Sequence, residues 1–295
     1  MKRIASLIAA AAVACSFTGC SAAPEAQVAA TTLPVYEFTT RLCEGTDITV
    51  TRLVTESVSC LHDYTLTVNQ MKAIEGAGVL VLSGAGLEDF LGDALANARN
   101  VIDSSAGIEL LDGEHHHHHE DEEEPESHHH DADPHIWLSP ECAMIQARNI
   151  CAGLSERYPE HRETFEANLR GLLEDLQTLE DYGNARLSDL SSREILTFHD
   201  GFSYLAHAFG IEIVEAIEEE SGAEASAREL IELIGEVRLH DIRAIFVEEN
   251  GSGSAASIIA AETGARKATL SMAMSGEDYF AAMYANIDSL KEALQ

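Results

Sequence analysis

Residues 161–190 read His161-Arg-Glu-Thr-Phe165-Glu-Ala-Asn-Leu169-Arg-Gly171-Leu172-Leu-Glu-Asp-Leu176-Gln-Thr-Leu179-Glu-Asp-Tyr-Gly183-Asn-Ala-Arg-Leu-Ser-Asp-Leu190. Phe165, Leu169, Leu172, Leu176 and Leu179 step by 4, 3, 4 and 3, which lines one face of a single amphipathic helix. At about 1.5 Å per residue such a helix reaches roughly 45 Å, long enough to brace two domains. Gly171 and Gly183 are its weak points, because glycine is a poor helix former.

On both sides of this stretch, strands alternate with helices. Before it, strands are expected at 48–54, 79–82 and 101–102, with helices at 35–43, 68–75, 87–98 and 140–157. After it, strands are expected at 195–198, 211–214, 244–247 and 268–270, with helices at 201–209, 227–239, 255–263 and 277–294. That alternation implies an α/β fold of two lobes, each with a mostly parallel sheet flanked by helices. The expected partition is an N-terminal lobe over 28–160, a linking helix over 161–190 and a C-terminal lobe over 191–295. Gly84-Ala85-Gly86 sits between a strand and a helix but lacks the third glycine of a dinucleotide loop, so it reads as a turn.

The chain opens with Lys2-Arg3, an apolar run over 4–17 and Thr18-Gly19-Cys20. This is a secretory signal, too short to span a bilayer, over 1–19. A small residue before cysteine marks a bacterial lipoprotein, so Cys20 is the expected lipid attachment, with Cys15 after Val13-Ala14 as the rival and 20–27 as a tether. The lipid is then the only membrane contact, on the extracytoplasmic face of the cell membrane. A net charge of −33 excludes nucleic acid and electrostatic adhesion to anionic lipid, and it suits cations. Outside the cytoplasm disulfides are permitted. Cys43 with Cys60 is the favoured pair, whereas Cys142 and Cys151 on one helix would stand about 13 Å apart, too far to bridge; buried free thiols are the alternative for all four.

Between the expected strand at 101–102 and the helix at 140–157 lies a low-complexity tract over 114–132. His115, His116, His117, His118 and His119 are followed by an acidic run and then His128, His129 and His130, eight histidines within sixteen residues. Imidazole is the commonest protein ligand for borderline transition metals, so the tract reads as an accessory metal-binding loop.

Six histidines lie elsewhere, and three share a context. His62 follows the first strand region, His135 ends the tract in Asp133-Pro-His-Ile-Trp-Leu-Ser-Pro140, and His199 directly follows the strand at 195–198. Ligands of open α/β sheets gather outside the carboxyl ends of strands. Three neutral imidazoles with one oxygen donor suit Zn²⁺ and disfavour Mn²⁺ and Mg²⁺. Asp63 and Asp200 each follow a candidate ligand and are placed to orient an imidazole. His161, His207 and His240 read as surface or core residues, and Tyr64 and Trp137 as packing residues.

Leu61-His-Asp-Tyr64, Gly84-Ala-Gly-Leu-Glu88, Asp133-Pro-His-Ile-Trp-Leu-Ser-Pro140 and Phe198-His-Asp-Gly-Phe-Ser-Tyr204 resemble the motifs of the metal-binding proteins of ABC importers, in their zinc-uptake (ZnuA-type) branch. The resemblance runs over nearly the whole mature chain. It implies two lobes joined by a rigid helix, one metal between them on His62, His135 and His199, and delivery to an ABC permease and its ATPase. The expected assembly state is a monomer. Many relatives carry an aspartate ligand where this chain has Ser271, in Thr269-Leu-Ser-Met-Ala-Met-Ser275. The fourth ligand is then water, Glu248 or Glu249, and Met272 or Met274 would suit copper(I) rather than zinc. Three rival readings are a manganese or other divalent-metal protein of the same family, a zinc-dependent hydrolase with Glu248 or Glu249 as base, and a metal-storage or adhesive lipoprotein. The chain has no HExxH motif, and the primary expectation is a binding protein rather than an enzyme.

Overall fold

The computed structural model describes residues 27–56, 61, 64–112, 132–216, 226–249 and 253–295. The signal segment with Cys15 and Cys20, Cys60, His62, Asp63 and the eight tract histidines lie outside them.

The first half builds β1 (Val28–Ala30), α1 (Leu33–Leu42), β2 (Val50–Arg52), α2 (Val68–Gly76), β3 (Val79–Leu82), α3 (Asp93–Ala96), β4 (Val101–Asp103) and α4 (Pro140–Arg157). α5 (Arg162–Arg186) links it to β5 (Glu194–Thr197), α6 (Ser203–Phe209), β6 (Glu212–Ala216), α7 (Ala227–Leu239), β7 (Ala244–Glu248), α8 (Ser254–Thr263), β8 (Arg266–Leu270) and α9 (Tyr279–Leu294). Each half holds one four-stranded sheet, all parallel, in the orders β2-β1-β3-β4 and β6-β5-β7-β8. The two sheets share one topology, and in each the strand order reverses beside the first strand of its half. Those reversals, between β1 and β3 and between β5 and β7, are where crevices open at the carboxyl ends.

Local chemistry accounts for most boundaries. Pro140 opens α4 behind Ser139, whose hydroxyl accepts the Cys142 N–H. Thr67 with Gln70 and Ser226 with Glu229 form reciprocal caps at α2 and α7. Gly210 and Gly264 end α6 and α8 in the left-handed conformation. The helix expected over 87–98 is broken instead: a 3-10 turn at Asp89–Leu91 and the four-residue α3 are separated by Gly92 at φ 45°. β1 was not expected, since Val28-Ala-Ala30 is short and alanine-rich, a weak strand signal. It forms because it lies between β2 and β3 with all three side chains fully buried.

α5 is 25 residues long, about 37 Å, five residues shorter than its sequence pattern suggested. Phe165, Leu172, Leu176 and Leu179 are wholly buried. It packs on α1 and α4 on one side and α9 on the other, so it touches both halves. One continuous core runs through the two lobes, with Val28 and Val81 of the first sheet and Phe246 and Leu270 of the second in the same cluster. Polar contacts tie the lobes as well. Trp137 Nε1 donates to the Met272 carbonyl (2.7 Å), and the Tyr279 hydroxyl to the Trp137 carbonyl (2.7 Å). Arg52 Nη1 donates to the Gly276 carbonyl (2.7 Å), and Glu37 accepts the Tyr279 N–H (2.8 Å).

Cys43, Cys142 and Cys151 are free thiols, so the expected Cys43–Cys60 bridge is not formed. The reason is direction: Cys43 caps α1 and turns its side chain into the core, where burial pushes its thiol up to about 12. No helix among the described residues is long and apolar enough to cross a membrane.

Candidate metal centre

His135 reaches the site from a loop of the first lobe, just before a 3-10 turn at Ile136–Leu138 that leads into α4. Asp133, two residues earlier, folds back on it. Its Oδ1 accepts both the His135 backbone N–H and the ring Nδ1–H, each at 2.8 Å. A ring nitrogen facing a carboxylate carries the proton, so Nε2 keeps its lone pair. Asp133 was not singled out from sequence, although an Asp-Pro-His run with a carboxylate two residues upstream is a turn signature that could have found it.

His199 comes from the second lobe, at the end of β5 beside the reversal point of its sheet. Its ring centroid stands 5.4 Å from that of His135, edge to face. Gly201 makes this approach feasible: a Cβ there would come within 2.8 Å of the His135 ring and 2.7 Å of Met272 Cε. Glu248 ends β7, the neighbouring strand, and its Oε1 lies 3.7 Å from His199 Nε2. Asp200 Oδ1 is 3.8 Å from His199 Nδ1, beyond hydrogen-bond length, so the orienting role expected of it is not made here. Among the described residues, no three His, Cys, Asp or Glu side chains are already gathered closely enough to hold an ion. The donors stand instead as two neighbouring pairs, His135–His199 and His199–Glu248.

The remaining candidates separate cleanly. Glu249, one residue beyond the end of β7, is exposed, whereas Glu248 is buried. The Ser271 hydroxyl accepts the Ala273 N–H (3.2 Å), while the Asn286 amide holds both the N–H and the carbonyl of Ser271 (2.7 Å each). Met272 and Met274 are buried between the lobes. His161 lies 2.9 Å from Asp47, His207 is exposed, and His240 faces Glu236 and Glu194 at the surface. Trp137 is fully buried, and Tyr64 packs edge-to-face on Phe90 and is held by Gln70 and Glu56.

At the corresponding point of the first sheet, the turn after β3 carries a buried carboxylate. Gly84, Ala85 and Gly86 all take positive φ (87°, 56° and 86°), and the turn wraps the Glu88 carboxylate. That carboxylate accepts from the Thr31 hydroxyl (2.6 Å), Ser83 N–H (2.7 Å) and Gly84 N–H (2.9 Å). Burial raises Glu88 to about 7 against the lowering pull of those three donors.

Residues 28–293 match the family model described as "Zinc-uptake complex component A periplasmic", ZnuA. The chain belongs to the ZnuA family. The High-affinity zinc uptake system protein ZnuA of Bacillus subtilis is 31% identical over 279 residues, covering 90% of this chain and 87% of that protein. The Zinc-binding protein AdcA of Streptococcus pyogenes serotype M3 is 31% identical over 286 residues, covering 90% of this chain and 55% of AdcA. The chain therefore spans about half the length of the AdcA relatives it matches. The crystal structure of the Zn(II)-bound ZnuA-like domain of Streptococcus pneumoniae AdcA superimposes with a TM-score of 0.75 at 28% identity, covering 90% of this chain and 98% of that one. The substrate-binding protein FpvC of Pseudomonas aeruginosa, in complex with Ni²⁺, shares the fold at a TM-score of 0.76 and 24% identity, covering 91% and 96%. ZnuA-family proteins are metal-binding components of ABC importers and not enzymes, so the hydrolase reading falls.

Proposed function

We propose that this chain is the extracytoplasmic zinc receptor of an ABC importer, tethered by lipid on Cys20 and acting as a monomer that hands Zn²⁺ to the permease. The observation that carries this reading is the His135–His199 pair, one ring from each lobe, with centroids 5.4 Å apart at the carboxyl end of β5. Asp133 presents the metal-binding nitrogen of His135. His62 is the third imidazole, assigned on the family motif, since it lies outside the described residues. Zinc is preferred over manganese because imidazoles dominate the donors and because the 31% identical relatives are named for zinc. The same fold holds Ni²⁺ and Mn²⁺ in FpvC, so the preference rests on the donors rather than on the architecture.

The histidine tract serves as an accessory collector. Its base is closed by an antiparallel bridge between Asp112 and Ala132, and Ala132 is three residues from His135. Ions released by the tract would therefore enter solution beside the site. The working partition keeps a signal over 1–19, a tether over 20–27, lobes over 28–160 and 191–295, and the link over 161–190.

Calorimetry with chelator competition tests this. The full chain should bind one Zn²⁺ tightly and further ions weakly, and deleting 114–130 should remove only the weak class. The triple variant H62A/H135A/H199A should lose the tight site. Affinity should fall as pH drops through about 6.5, where imidazoles protonate. Retention of tight binding in the triple variant, or its loss on deleting the tract, would overturn the receptor reading.

A further inference from the structure

Glu248 lies at the point of the second sheet where ligands of open α/β folds collect, between the carboxyl ends of β5 and β7. Its side chain is buried at 8% exposure, whereas the adjacent Glu249 is exposed. Two donors of a tetrahedral zinc ion, each about 2.1 Å from the metal, stand about 3.4 Å from one another. Glu248 Oε1 and His199 Nε2 are 3.7 Å apart, so a shift of a few tenths of an ångström lets both meet one ion. The other oxygen near the site is differently engaged. Ser271 spends its hydroxyl on the Ala273 N–H in a tight turn with Ala273 at φ 51°, and Asn286 pins that turn from both sides. A hydroxyl is also not among the usual zinc donors, which are thiolate, imidazole and carboxylate.

The geometry points to Glu248 as the charged oxygen ligand of this site, joining His199 from the second lobe to His135 from the first around one divalent ion. This deepens the zinc reading above and rests on it. A divalent ion here would also offset the burial of the Glu248 carboxylate, and it would lower the charge of an otherwise all-imidazole complex from +2 to +1. The ion then bridges lobes through the ends of two adjacent strands, β5 and β7, rather than through the loop after β8.

The test uses the full chain, measuring the tightest Zn²⁺ site by chelator competition for wild type, E248Q, E248A, E249Q and H135A. Loss of a ligand should weaken binding by more than the ~10–100-fold typical of losing a second-sphere partner. E248Q and E248A should both lose more than about 100-fold, while E249Q stays within about twofold of wild type. The one-to-one Co²⁺ complex should also change its visible d–d spectrum in E248Q. If E248Q binds within about tenfold of wild type with an unchanged cobalt spectrum while E248A is impaired, Glu248 acts only by hydrogen-bonding His199, and the inference is overturned. If H135A also leaves the tight site intact, the zinc reading itself fails, an outcome distinct from failure of Glu248 alone. Circular dichroism of each variant confirms the fold.

Discussion

Two glycines in the same helix should respond in opposite directions to the same substitution. In an exposed helix interior, alanine for glycine stabilises by about 1 kcal/mol. Gly171 is exposed and a Cβ there would meet nothing within 4 Å, so G171A should gain close to that full amount. Gly183 is buried, and its Cβ would fall 2.2 Å from Phe209 Cε1, 2.5 Å from Cζ and 3.0 Å from Cδ1. Phe209 sits at the end of α6, 5% exposed in the main core, so its ring has little room to step aside. Overpacking of this kind costs about 1–3 kcal/mol, and a contact this short belongs at the upper end. After the helical gain, G183A should be about 2 kcal/mol less stable than wild type and about 3 kcal/mol less stable than G171A. For a chain of this size that corresponds to a fall in Tm of roughly 4–8 °C for G183A. Urea and thermal unfolding of the metal-free protein measure both. In a double-mutant cycle, F209L should recover much of the loss caused by G183A. Equal stability of G183A and G171A would refute the reasoning, because α5 and α6 would then not be in contact at this point.

Glu88 should make stability depend on pH. Its folded pKa is raised from 4.5 to about 7, so the neutral form is favoured in the fold. Its contribution is therefore most favourable below about pH 4.5 and is lost as pH rises to about 7, a span of about 3 kcal/mol. The difference in unfolding free energy between wild type and E88Q should fall over that window, and a flat difference would remove the assignment. Cys43 and Cys151 should resist alkylation until the protein unfolds, while half-buried Cys142 reacts first; a Cys43–Cys60 linked peptide in a non-reduced digest would contradict the free thiol. D133A frees the ring of His135 and should weaken the tight metal site by about 10–100-fold, read by chelator competition; unchanged affinity would show that Asp133 does not orient the ring.

Much of the fold was legible because its signals are local. The apolar stripe of α5, the Ser-Pro start of α4 and the buried run at β3 each lie within one element, so pattern and propensity reach them. The failures are positions where a neighbour far away in sequence decides. β1 is a strand only because β2 and β3 flank it; the break at Gly92, between the 3-10 turn at Asp89–Leu91 and α3, is the local exception. The Cys43–Cys60 pairing was inferred from positions in the chain, but the thiol direction depends on how α1 packs. For the site, strand-end placement pointed to His199 and the end of the histidine tract to His135, yet Asp133, which holds the His135 ring, was overlooked.

Residue order alone determined the α/β class, the division into two halves about one long helix, the strongly acidic charge, and the candidate histidines. Those properties follow from periodicity, composition and residue type, which need no knowledge of distant contacts. Tertiary structure decided which side chains meet: His135 with His199 across the lobes, Glu248 rather than Glu249 turned toward them, and Ser271 held in its own turn. The physical reason is that a contact across 64 residues depends on how two sheets are set against a shared core, and no local propensity encodes that distance.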